Sequence, residues 1–483
     1  MNVQRIRVFL LIGIISVGLT GIAQAQSATN QVWTSSITYY TPSDTPGTLM
    51  ISFYPEGSDT PITLPSISLA PHKAGSLFVG GVSELGSFTR GSAILSSDVP
   101  VVATYVQFAA PPETNNYGRL IYSGFDNGAP TFYVPTFLKR QFGSTSLMGI
   151  QNLENFEAEI RVRFYAVGSS TPTDDRTYTV PGGSSIIIPA HDTSKVSLPD
   201  GFNGSVVIQA NRRGDSSIPA RVVASAQETD DNGRGAYAFE GVASGADRIY
   251  MATMLCNAFG TNQTSYYAIQ NISLTSTASV RVFFYDTNGN QIGQTPVQSV
   301  GPGNKWSVNP CSYISSGVSG SAVISATGAP VVAIGKVKDN IGMATAFVGQ
   351  AAGGTKVVAP YIRWAATPTS EWRTYVAIMN VGTGNATDIK VYYYDGNGTL
   401  RATHNVATAS NPLPPFIKRN TNPQAAGALD AGGNFGFSPP GGAIEVISDQ
   451  PVVVIVRAQR DLSPPLGSVQ RFAEDYNGTI VTP

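Results

Sequence analysis

Charge is scarce in this chain. Charged residues make up 13% of its 483 positions, with 30 Lys+Arg against 31 Asp+Glu. A polyanion partner needs a clustered positive field, so this balance argues against nucleic-acid binding. Side chains for nucleophilic or metal chemistry are scarcer still: three histidines and two cysteines. Glycine (50) and proline (32) stay below the level of an unfolded low-complexity chain, while 42% apolar residues suffice for real cores. No window of useful length carries an uninterrupted helical period. After the N-terminus no apolar run is long enough to cross a bilayer, and Val452–Val456, among the longest, soon meets charge.

The N-terminus itself reads as an export signal. Arg5 and Arg7 precede an uncharged stretch from Val8 to Ile22, and Ala23-Gln24-Ala25 forms an A-x-A cleavage site. Residues 1–25 are therefore expected to be a cleaved signal peptide, leaving a secreted or cell-surface protein with no membrane insertion. Cys256 and Cys311 are then expected to pair as a disulfide in an oxidising compartment.

Internal repetition dominates the remainder. A strand ending in aromatics recurs as Leu49–Tyr54, Ile160–Tyr165, Val280–Tyr285 and Ile389–Tyr394, its closing tyrosines standing 111, 120 and 109 residues apart. A Gly-led strand follows each time, at Gly91, Gly204, Gly320 and Gly442, and then a valine-rich strand after Pro100, Pro219, Pro330 and Pro451. Alternation inside each copy puts Ile160, Val162 and Phe164 on one face and Glu159, Arg161 and Arg163 on the other. A period of two with one apolar face means antiparallel sheets covered on one side. Asn-Gly pairs such as Asn288-Gly289 and Asn397-Gly398 supply hairpin turns.

Seven or eight strands in about 110 residues predict an all-β fold of four tandem immunoglobulin-like antiparallel β-sandwich domains. Their expected bounds are 26–136, 137–254, 255–361 and 362–483. The strands Ile150-Gln151-Asn152 and Ile269-Gln270-Asn271, with the aromatic, Gly-Ser and Pro-Val-Val strands, resemble tandem Ig-like repeats of exported bacterial surface proteins. That resemblance implies a scaffold and carries no functional residue with it.

A short strand precedes each later copy: Thr131–Pro135, Ile249–Thr253 and Thr355–Pro360. The preferred reading assigns it to the preceding domain, so that no edge is left bare. The alternative makes it the opening strand of the following domain. In that case the first copy's counterpart falls inside the signal peptide, and Thr479–Pro483 of another molecule could fill the bare edge.

Catalytic groups do not assemble in the sequence. His72, His191 and His404 occupy non-equivalent places, and no G-x-S-x-G elbow occurs. The acidic turns beginning at Asp286 and Asp395 lack the glutamate of a calcium loop and read as hairpins, while Glu228–Asn232 reads as a solvated loop. No metal site, cofactor or enzymatic activity is expected. The best candidate ligand or partner patch is Trp364, Trp372 and Tyr375 with Arg363 and Arg373. The expected function is a rod of modules serving as surface scaffold, adhesin or filament subunit, with other copies of itself, other surface proteins or cell-surface polysaccharide as partners. The competing expectation is a carbohydrate-binding protein using exposed aromatics, chiefly in the fourth repeat.

Overall fold

The computed structural model describes residues 6–12, 33–86, 88–109, 118–230, 236–367, 370–462 and 470–481. The Ala23-Gln24-Ala25 cleavage site lies outside them, as do Asp231, Asn232 and the last two residues of the C-terminal strand. Among the described residues the chain is all-β, in several antiparallel sheets that do not close into a barrel, and helix is limited to short 3₁₀ turns and Pro423–Ala426.

One pairing pattern recurs. In the second copy a first sheet runs Thr131–Lys139, Phe202–Arg212, Ala158–Ala166, Asp174–Val180, and a second runs Ser185–Pro189, Ser144–Asn152, Val222–Asp230, Ala236–Glu240. The third copy repeats both orders from Arg248–Cys256 to Ala344–Val348. In the fourth, the long strand Gly442–Leu462 passes through both sheets. Its first half pairs with Gly354–Ala359 and Ile389–Asp395, and its second with Ser370–Asn380 and Gln470–Asn477. The alternation read from the sequence sets the cores: Ile160, Val162, Phe164, Val280, Val282, Phe284, Ile389, Val391 and Tyr393 are all fully buried. At roughly 25 cal/mol per Å² of apolar surface, such side chains contribute about 1.5–3 kcal/mol each.

Two expectations change. The displaced strands belong to the following unit: Thr131–Lys139 pairs with Phe202–Arg212, Arg248–Cys256 with Val318–Thr327, and Gly354–Ala359 with Gly442–Leu462. The expected bounds at 136/137, 254/255 and 361/362 therefore fall within or just after these strands, and the pairing boundary lies before Thr131, Arg248 and Gly354. In the first unit Ile6–Ile12 takes that place beside Gly91–Ser97. Strand order also departs from the immunoglobulin pattern, in which the first two strands share a sheet. Here they lie in opposite sheets, because a tight corner joins them. Arg140, Phe142 and Gly143 turn that corner at positive φ in the second unit, and Asn257, Phe259, Gly260 and Asn262 do so in the third.

The largest correction concerns shape. The four units close into a circle and do not extend as a rod. Tyr54 lies on Gly183 of the second unit, where an added Cβ would meet its ring at 2.5 Å, and Tyr165 lies on Gly303 of the third at 3.1 Å. Tyr285 packs on Phe416 of the fourth with centroids 5.7 Å apart, and Tyr394 stacks on His72 of the first at 4.5 Å and 6°. All four receiving residues have positive φ, from 55° to 75°. They sit in turns that begin with Pro71, Pro181, Pro302 or Pro414, and in the last three a buried asparagine pins the turn. Asn152, Asn271 and Asn380 each donate from Nδ2 to carbonyls there, for example Val180 O at 3.1 Å, Val300 O at 2.9 Å and Leu413 O at 2.8 Å. The recurring tyrosine and asparagine are thus two halves of one junction, made three times, and the fourth contact, Tyr394 on His72, is made without the asparagine.

The circle also closes at its centre, on the edge strands of the second sheets. Ser123 N donates to the Glu240 carboxylate, Ser123 Oγ to Asn477 O at 2.9 Å, and Asn477 Nδ2 to Val348 O at 2.8 Å.

Candidate functional site

The aromatic patch expected in the fourth repeat does assemble, but as an internal stack. Trp364 and Arg363 are buried, Trp372 is half-buried, and Tyr375 is exposed. Arg373 lies 4.6 Å over Trp364, whose ring edge meets Tyr375 at 6.1 Å. Arg119 of the first unit lies 4.8 Å from Trp372, and Arg460 lies 5.6 Å from it. Guanidinium groups therefore occupy the indole faces that a sugar would need, and the cluster belongs to the junction between the fourth and first units. Burial holds the Arg363 guanidinium below its ordinary range.

The other candidates resolve as local structure. Asp286 Oδ1 accepts from Asn288 N at 2.8 Å and Asn290 N at 2.9 Å, while Asp395 Oδ1 accepts from Asn397 N and Thr399 N. Ser194 Oγ donates to Asp192 at 2.6 Å, and His191 is shifted down by burial. Glu228, expected in a solvated loop, is instead fully buried and ion-paired with Lys336 of the next unit.

That ion pair identifies a feature the sequence reading missed. Lys305 begins the strand Lys305–Val308 and is buried where the third unit meets the second. Its Nζ donates to Thr136 Oγ1 at 3.1 Å, and Thr136 Oγ1 donates to Glu228 Oε1 at 3.2 Å. Lys418 begins the matching strand Lys418–Thr421 of the fourth unit and is only 5% exposed. Burial, reinforced by a neighbouring cation (Lys336 or Arg457), pushes each ammonium down to about 7, against the pull of Glu228 or Asp475. The available signal was a lysine opening the same strand in two copies.

These lysines predict a pH dependence. In the unfolded chain they keep their protons to about pH 10, whereas the folded forms release them near 7. Between these limits the unfolded state binds more protons, so stability rises with pH, by about 1.4 kcal/mol per unit for each lysine. Denaturant titrations from pH 7 to 9.5 should show this rise, and Lys305→Met with Lys418→Met should flatten it.

Lys418 lies in a cleft of about 340 Å³ between the third and fourth units, with Thr253, Leu255, Gln263 and Phe259 on one side and Tyr375, Ile455, Arg457 and Arg471 among the residues on the other. Arg457 is held by Asp475 through Nε at 2.7 Å and Nη2 at 2.6 Å, and Arg471 by Asp461 through Nε and Nη2, both at 2.8 Å. The Lys418 ammonium makes no hydrogen bond among the described residues. The arrangement offers a buried ammonium without a hydrogen bond, apolar wall residues such as Leu255 and Ile455, and two exposed rings, Phe259 and Tyr375.

No family model and no curated protein matches the chain. Among solved structures it is similar to the protein Thermotoga maritima 1070, at 22% identity over 26% of this chain and 96% of that one, with a TM-score of 0.20. It is also similar to the Anabaena sensory rhodopsin transducer, at 21% identity over 20% of this chain and 80% of that one, TM-score 0.16. A tetra-tandem repeat from the extending region of a large adhesion protein aligns at 12% identity over 94% of this chain and 97% of that one, TM-score 0.10. At these scores none of the three bears on function.

Proposed function

We propose that the chain is a non-enzymatic exported protein, a closed platform of four sandwich units acting as a surface scaffold or adhesin. The observation that carries this reading is the fate of the repeated tyrosines. All four, from Tyr54 to Tyr394, are engaged by the next unit, the last by the first. Repetition therefore supports a rigid circular body, with loops and clefts as its presenting surface. A head-to-tail filament built through these junctions is disfavoured, because the fourth junction is already made within the chain. A guanidinium already lies on each indole of the original patch, and Tyr375 is its most exposed ring. The low charge and the N-terminal export pattern support an extracellular site of action.

Two measurements test the reading. Small-angle scattering of the exported chain should give a radius of gyration near 23 Å, the compact value for this length; a rod of four units would be about twice as large. Protease shaving of intact producing cells should release the chain. Retention inside the cell, or a hydrolytic activity that co-purifies with the chain, would sink the proposal.

A further inference from the structure

The junction between the second and third units sets a reference. There Lys336 pairs with the buried carboxylate of Glu228, and Lys305 reaches it only through Thr136. Strand register identifies the matching positions one junction on. Glu228 stands opposite Ser146 and Val337 opposite Ser265. Those serines are equivalent, since each accepts from the backbone of the neighbouring first strand, at Leu138 N and Leu255 N. Thr136 and Thr253 occupy the same bulge, after Val134 and Met251. Lys336 and Arg457 match through their partners Tyr266 and Tyr375. The quartet Thr136, Glu228, Lys305, Lys336 thus becomes Thr253, Val337, Lys418, Arg457. Both cations persist and valine replaces Glu228, but Asp475 supplies a carboxylate to Arg457 from the strand facing it, so Lys418 alone is left without an acceptor where the cleft opens.

From the Lys418 ammonium, which lines the cleft without a hydrogen bond, we infer that the cleft between the third and fourth units binds a carboxylate carried on a ring-shaped body. The carboxylate pairs with Lys418, and the ring rests against Phe259 and Tyr375. The inference rests on the proposed surface role and names its ligand class, an acidic saccharide unit or an aromatic acid. The volume lies at the small end of small-molecule sites.

Protonation follows from the surroundings. The charged groups facing Lys418 from its own unit are Arg457 and Asp475, with Arg471 and its partners, Asp461 of the same unit and Asp339 of the third, at the mouth. The lining residues of the third unit, Thr253, Leu255, Phe259 and Gln263, are uncharged. Lys418 is largely neutral above pH 7 in the free protein, so an entering carboxylate draws a proton onto it.

Calorimetry on the full chain tests this, with D-glucuronate, its methyl ester and benzoate as probes. Glucuronate or benzoate should bind saturably, with uptake of up to one proton at pH 8 read from buffers of different ionisation enthalpy, and the ester should bind far more weakly. The tighter acid decides between a saccharide and an aromatic source. Lys418→Met should weaken binding about 10- to 100-fold, the worth of one charge-assisted hydrogen bond. Phe259→Ala should weaken both ring acids and leave acetate unchanged. Should Lys418→Met not fold, the ester comparison and Phe259→Ala still decide. Absence of saturable binding by either acid, equal binding of acid and ester, or unchanged affinity in folded Lys418→Met would each overturn the inference. Such a failure would leave scattering and cell shaving, and hence the platform reading, untouched.

Discussion

Arg119→Met is expected to open the circle between its fourth and first units, at a cost of about 3–5 kcal/mol. Arg119 Nε meets Glu474 Oε1 at 2.5 Å, its Nη2 donates to the Tyr361 hydroxyl at 3.3 Å, and its guanidinium lies against Phe108 and Trp372. Glu474 is completely buried as a side chain, and burial already raises its carboxyl above the ordinary range. Removing the arginine strands that carboxylate without its ion-pair partner, which is why the single change costs more than the pair itself contributes. Adding Glu474→Gln should recover more than half of the loss. Thermal melting measures the effect, and limited proteolysis locates it at the strands around Arg119 and Gln470–Asn477. A single variant as stable as the parent would show that the two end units do not depend on this contact.

Removing the disulfide is the second large effect. Cys256 and Cys311 are bonded across a sequence separation of 55 residues, joining the end of Arg248–Cys256 to the turn Pro310–Ser312. Loop closure of that length is worth about 4 kcal/mol in the chain-entropy account, and loss of a native bridge typically costs 2–5 kcal/mol. The bridge pins the opening strand of the third unit, the one strand type whose ownership the sequence left open. Cys256→Ser with Cys311→Ser should therefore lower the melting temperature. Hydrogen exchange should rise first in Arg248–Cys256 and in its neighbour Val318–Thr327, ahead of the other units. Uniform loss of protection over all four units would instead mean that the circle unfolds as one body.

Local chemistry made much of this molecule legible. Alternation in Ile160–Tyr165 and its three counterparts fixed which side chains are buried, because a strand with one covered face has no other stable register. The cysteine pair followed from compartment and count. The tyrosines were visible as a recurrence. Their actual targets were not visible, because Gly183, Gly303, Phe416 and His72 share no side chain, only a backbone turned to positive φ. The displaced strand was recognised and placed in the wrong unit. Its partner, such as Phe202–Arg212 for Thr131–Lys139, lies some 70 residues downstream, and nothing in the strand itself records the pairing.

What the sequence determined by itself was composition, periodicity and repetition: an all-strand chain written four times, poor in charge, with its apolar faces assigned. Those properties are local, set by residues one or two apart. What only the tertiary structure decided was the relation between copies. The closure of Tyr394 on His72, the internal capture of Trp372 by Arg119, and the exchange of Glu228 for Val337 beside a buried lysine all join residues from different repeats. Such contacts depend on how rigid sandwiches meet in space, and a one-dimensional pattern repeats identically whether its copies extend in a line or return to their start.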